Sequence, residues 1–262
     1  MLGTCRLCAK SPVELKRSHI LPKWAYRRAR NVANSDPALV RHGIAKQTSW
    51  QWQEYLLCGD CEDKLSVREK YVAELCYDEH GVCPLFSEIG VTPGSQGAEV
   101  RRAALDRVDR QALRMFGASV VWRSHVSGAS DRVSLGVYGE EFRRFLNGDA
   151  SFPGAARLAL WLLDHSDKSR DDARNLVIFP VTARYRTCHV HLFYAHGLCF
   201  EIYVGKRVPG DLENRAIQAD RCSYVNVASL EHISLVRAAK QQILSSKESP
   251  RLTERRKAMG YE

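Results

Sequence analysis

A chain of 262 residues, 45% hydrophobic and 26% charged, can bury a sizeable core, and its length suits one large domain or two modest ones. That composition excludes a disordered chain, and the absence of any apolar run of about eighteen residues excludes a membrane-spanning helix. The net charge of +9 and pI near 9.2 favour polyanionic partners.

In chain order, the opening segment MLGTCRLCAKSPVELKRSHI lacks the apolar stretch of a signal peptide, so a cytoplasmic protein is expected. Nine cysteines, an odd number, read there as metal ligands or buried thiols rather than a disulfide framework. Residues 1–80 hold two tight cysteine pairs with lysine and arginine between them. From Cys61 the text EDKLSVREKYVAELCY predicts a helix, with Leu65, Val72, Leu75 and Cys76 along one face. Glycines and prolines over Gly81–Gly97 mark a linker, which divides the chain into a module at 1–80, a linker at 81–98 and a second domain at 99–262.

A second helix is expected over Glu99–Arg123, with Leu105, Val108, Leu113, Phe116 and Val120 on its apolar side. After a turn at Ser127–Arg132, a shorter helix covers Tyr138–Leu146. Leu158–Leu163, Leu176–Thr182, His189–Tyr194 and Cys199–Val204 are short apolar, aromatic or β-branched runs that read as strands. Ala195-His196-Gly197 between the last two predicts an antiparallel hairpin. A strand at Ser223–Val227 and a helix at Leu230–Leu244 precede a basic tail carrying Arg251, Arg255, Arg256 and Lys257. The fold class is α+β: an N-terminal zinc module, a helical connector and a C-terminal mixed antiparallel sheet with helices.

Cys5-Arg6-Leu7-Cys8 and Cys58-Gly59-Asp60-Cys61 are both C-x2-C, the turn that presents two thiolates to one zinc ion. Four cysteines close the coordination sphere, so such a zinc is structural and leaves the chemistry to other residues. Two C-x2-C pairs with no disulfide-friendly context are hard to reach by coincidence, and a redox pair is disfavoured because neither opens a helix after a strand in a thioredoxin-like βαβ unit. Cys76, Cys83, Cys188, Cys199 and Cys222 are scattered and read as small buried hydrophobes.

Between the pairs stands Lys16-Arg17-Ser18-His19-Ile20-Leu21-Pro22, and before the second pair Tyr55-Leu56-Leu57. A C-x2-C pair, a histidine followed by Ile-x-Pro, then Leu-Cys-x2-Cys leading into a helix resembles the HNH endonuclease family over about residues 5–75. The resemblance implies a treble-clef, ββα-metal core that hydrolyses phosphodiester bonds, in DNA before RNA. It implies His19 as general base, for which a neutral imidazole is suited. It also implies Glu62 as a holder of catalytic Mg2+ or Mn2+, a role open to a carboxylate. Gln53 lies near the position of a histidine-orienting asparagine, and Ser18 replaces the family's metal-binding aspartate. Glu69, two helical turns beyond Glu62, is either a second acid for the site or a solvated helix carboxylate.

Arg17, Lys23, Arg27 and Arg28 crowd around His19 together with Lys16 and Arg30, and they are the candidate phosphate contacts. Trp24 and Tyr26, interleaved with them, either stack on bases or pack inward. Val121-Trp122-Arg123-Ser124 and Leu135–Arg143 resemble stretches of uncharacterised bacterial proteins and read as core packing of a connector. His189 and His191 leave one face of a strand and read as packing or surface residues. Against the nuclease stands a non-catalytic reading. In it the zinc module only binds nucleic acid, or the C-terminal domain senses a protein partner in a phage-defence setting.

Overall fold

The computed structural model describes residues 1–29, 38–41, 44–93, 100–164, 175–219, 223–229 and 232–248. Arg30, Gly94, Gly97, Cys222, Leu230 and the basic tail lie outside the described residues. The fold is mixed α+β, with three sheets and six helices among those residues.

The first sheet orders β1 (Leu2–Gly3), β2 (Val13–His19) and β5 (Gln53–Cys58), all antiparallel. Its register sets Leu15 opposite Cys58, Ser18 opposite Glu54 and His19 opposite Gln53, with an irregularity between Lys16 and Arg17. Between β2 and β5 the chain forms the short helix α1 (Lys23–Arg28) and strands β3 (Ala38–Arg41) and β4 (Ile44–Gln47). Helix α2 (Gly59–Leu75) follows β5 without a break and buries Cys61, Leu65, Val72 and Leu75, the face its periodicity requires.

The second helix starts later than its apolar pattern suggests. Residues Arg101–Ala104 form strand β6, and α4 runs over Arg110–Val126. Asp109 sets the boundary, because its carboxylate accepts from the Ala112 amide at 2.9 Å as an N-cap. Leu105 and Val108 are buried all the same, in the loop leading into that cap. The stretch expected to be a linker holds α3 (Pro84–Glu88), which starts on a proline and buries Leu85 and Phe86.

Helix α5 (Gly139–Asn147) precedes the large sheet, whose order is β6, β11 (Tyr224–Ala228), β7 (Ala156–Leu163), β10 (Leu198–Val204), β9 (Cys188–Ala195), β8 (Val177–Tyr185). Only the β11–β7 pairing is parallel, so the sheet is mixed. The β9–β10 turn places His196 at φ 44° and Gly197 at φ 99°, and a Cβ on Gly197 would meet the Tyr77 ring at 2.4 Å. Glycine is required there by both backbone and space. A third sheet joins β12 (Lys247–Glu248), which follows helix α6 (Ser234–Ser245), to β4 and β3.

One buried cluster runs from Cys5 to Val236 and joins the first sheet to the large one. Phe116 of α4 packs on Phe193 and Phe200, whose rings stack at 4.8 Å. From the other side, the buried His196 ring bonds the Ala25 carbonyl of α1 at 2.9 Å, and the Tyr77 amide donates to the His196 carbonyl. The tip of a C-terminal hairpin thereby anchors the segment that follows His19.

Candidate metal centre and the histidine beside it

Cys5 and Cys8 lie in the turn after β1, Cys58 ends β5, and Cys61 sits in the first turn of α2. All four Sγ atoms lie within 4.8 Å of one another, and Cys8 and Cys58 are 3.8 Å apart. A tetrahedron with metal–sulfur arms of 2.3 Å has edges of about 3.8 Å, so the spacing suits one metal ion such as zinc. Among the described residues this is the one group of three or more histidine, cysteine, aspartate or glutamate side chains so placed.

The knuckle is prepared electrostatically. The Cys58 amide donates to Cys5 Sγ at 3.3 Å, and Cys58 is itself the N-cap of α2, whose first turn has no side-chain cap. Burial pushes the Cys58 and Cys61 thiols up. At Cys5 burial pushes the same way but is outweighed by hydrogen bonds from the Cys8, Cys58 and Leu7 backbone, which bring it down to about 7. Four sulfurs at this distance cannot all ionise without a cation to offset them. The knuckle backbone is pinned from α5, where Arg143 Nη1 donates to the Leu7 carbonyl at 2.6 Å.

A second constellation forms where β2 ends beside the start of α2. Ser18, fully buried, donates its hydroxyl to Glu62, 44 residues away in sequence. His19 is half-buried, and its Nε2 meets Gln51 Oε1 at 2.7 Å. The amide oxygen of Gln51 only accepts, so Nε2 carries the proton and Nδ1 keeps the lone pair. Burial lowers the His19 pKa from 6.5; Gln51 and Glu62 pull it upward, and Arg123 and Lys23 push it down. Imidazole is therefore the dominant form at neutral pH.

Two residues of this constellation escape the sequence reading. Gln51, not Gln53, engages the ring; Gln53 faces His19 only through backbone register. Arg123, read as connector packing, is 1% exposed and donates from Nη1 to the His19 carbonyl at 2.8 Å. It also donates to Glu69. Glu69 is thus neither a second acid beside Glu62 nor a solvated carboxylate, but the counter-ion of a buried arginine. The available signal was a guanidinium in the otherwise apolar and small stretch Ser119–Ser124.

Among the cations, Arg17, Lys23 and Arg27 are exposed. Arg28 donates from Nη1 to the Ala73 and Tyr77 carbonyls and lies over the Trp24 ring, so its charge closes the end of α2. Tyr26 is buried and packs on His19 and Phe179, while its hydroxyl accepts from the Trp52 amide. Trp24 packs on Phe116 and His196. Both aromatics face inward. In the large sheet, His191 is 1% exposed and bonds Thr182 at 2.9 Å, which makes it a packed residue.

Among the described residues no helix is long and apolar enough to cross a membrane. No family model, curated protein or solved structure matches the chain.

Proposed function

We propose that the chain is a zinc-stabilised endonuclease of the HNH kind that hydrolyses phosphodiester bonds in DNA. The observation that carries this reading is the bond from the Ser18 hydroxyl to Glu62, with His19 next in the strand and electrostatically coupled to Glu62, where β2 ends beside the first turn of α2 and the four clustered cysteines. A knuckle, a hairpin and a helix contributing the second cysteine pair is also the order of a treble clef, which supports the family resemblance.

In this reading zinc is structural, because four thiolates leave no open position. His19 acts through Nδ1. Its proton-bearing Nε2 is anchored on Gln51, and its carbonyl is fixed by Arg123, so the free lone pair has one orientation from which to take a proton from water. Glu62 would hold Mg2+ or Mn2+, with water and substrate phosphate supplying the remaining ligands, as magnesium sites with one carboxylate do. Such an ion, when bound, supplies charge at the scissile phosphate. Exposed Lys23 and Arg27 on α1 dock the strand through phosphates.

A second reading, binding without cleavage, is favoured by one observation. The Ser18 hydroxyl already occupies a Glu62 oxygen, so that carboxylate must exchange a hydrogen bond for a metal. The two readings separate when supercoiled plasmid and RNA are incubated with the protein in Mg2+, Mn2+ or chelator, alongside His19→Ala and Glu62→Gln. Nicking that needs the divalent ion and both side chains is the expected result. Retained binding with no cutting under any metal removes the nuclease.

A further inference from the structure

We propose that the cleft beside the paired strands β2 and β5 binds single-stranded nucleic acid, with Arg6 and Arg17 holding phosphates and Tyr55 stacking on an unpaired base. The inference rests on the nuclease reading for the identity of the polyanion, but its residues and geometry are separate from His19 and Glu62.

An open cleft of about 560 Å³ lies between the hairpin and the end of α4, lined by Arg6, Arg17, Gln53 and Tyr55 on one side and Val126–Gly128 on the other. Arg6 comes from the cysteine knuckle and Arg17 from β2, so two consecutive elements of the chain bring two guanidinium groups to one cleft. Both side chains are exposed, and neither has a hydrogen bond or ion pair with another residue of the described structure. Most other arginines of the N-terminal half and its neighbours are spent: Arg28 on carbonyls, Arg123 on Glu69, Arg143 on Glu140. Two unpartnered guanidiniums at one cleft are a site for bidentate phosphate contact.

Tyr55 stands directly opposite Arg17 in the strand register and is 44% exposed. A large exposed ring lining the same cleft as two cations has the composition of a stacking platform for single strands. The one carboxylate in the lining, Glu54, keeps its charge and is outnumbered by the two guanidinium groups. Its oxygens already accept from the Gly128 amide at 2.7 Å and from Trp52 Nε1 at 3.3 Å. Arg17 lies two residues before His19, one strand repeat of roughly 7 Å, and Gln53 of the lining pairs with His19. A strand held in this cleft therefore runs toward the histidine. A duplex would present no free base face to Tyr55, which is why the occupant is single-stranded.

The test uses the zinc-loaded full chain and a fluorescein-labelled dT15, with a duplex of mixed sequence for comparison, read by anisotropy from 50 to 200 mM salt. Arg6→Ala and Arg17→Ala should each lower the slope of log affinity against log salt by about 0.7, the amount for one lost phosphate contact on a single strand. Tyr55→Ala should weaken dT15 binding about tenfold at every salt concentration, without changing the slope. Zinc content and the far-ultraviolet spectrum of each variant guard against loss of the knuckle. Affinities and slopes equal to the parent in all three variants, or a parent that prefers duplex, overturn the cleft whether or not plasmid is cut. Loss of dT15 binding in the variants of a parent that binds but never cuts supports the cleft and removes the nuclease. A parent that binds neither probe overturns both.

Discussion

Strand β10 of the large sheet buries six of its seven residues, whereas β2 of the hairpin buries two of seven. In the large sheet, Phe193, Phe200 and the aliphatic residues of β7 leave nothing for solvent to compete for, and dispersion and apolar burial suffice. Strand β2 keeps much of its length open, and four clustered cysteines placed to hold one metal ion lie where β5 meets α2. Openness and chemistry go together here. The polar residues that could act on a substrate sit beside a strand that buries few of its residues and beside four cysteines placed to hold one metal ion.

Breaking the metal site should separate the two regions most strongly. Elemental analysis is expected to find about one zinc per chain. Its removal by chelator or by Cys61→Ser should cost on the order of 10 kcal/mol locally. Hydrogen exchange should then show β2 and β5 unprotected while β9 and β10 stay protected. Equal loss in both sheets would mean that the hairpin does not depend separately on the ion. In the large sheet, Phe200→Ala removes a fully buried ring between Phe116 and Phe193 and should cost about 4 kcal/mol in denaturant unfolding. A loss below 1 kcal/mol would contradict a packed aromatic core.

The join between the regions comes next. Arg123→Ala leaves Glu69 without its counter-ion and frees the His19 carbonyl, and should cost about 3 kcal/mol. The figure is at the lower end for a broken buried pair, because the Glu69 side chain keeps 16% of its exposure and can reach water. Glu69→Gln in the same background should recover part of that loss, and no recovery would indicate that the pair is not coupled.

Acid titration reads the large sheet by a different route. Burial, reinforced by His189 and His125, lowers His191 to about 4. The native state therefore binds fewer protons than the unfolded chain between about pH 6.5 and 4. The stability from a neutral His191 is complete above 6.5 and lost as the pH falls through that window, by about 3 kcal/mol in all. His191→Gln should flatten the dependence, and an unchanged slope would assign the acid sensitivity elsewhere. The smallest effect belongs to Asp109→Ala, which removes the α4 cap and should cost about 1 kcal/mol, visible as a shift in the denaturation midpoint.

The placement of Gln51 and Arg123 shows why part of the site was not legible. Cysteine spacing and the Ser18-His19-Ile20 segment are local, so a linear reading could find them. Gln51 reaches His19 across 32 residues and Arg123 across 104, and no local pattern encodes either contact. Glu69 shows the same limit from the other side. Its helical position permitted a place near Glu62, but a buried guanidinium of another helix claimed it.

By itself the sequence determined the α+β class, the two cysteine pairs, most of the strands of the large sheet and the helix after Cys61, because each depends on residue type and short-range periodicity. The tertiary structure alone decided that the pairs meet within 4.8 Å, which nitrogen of His19 is anchored, and which arginines are spent and which stand open. Those outcomes depend on competition among groups distant in the chain for the same few partners, and only the folded arrangement settles which of them wins.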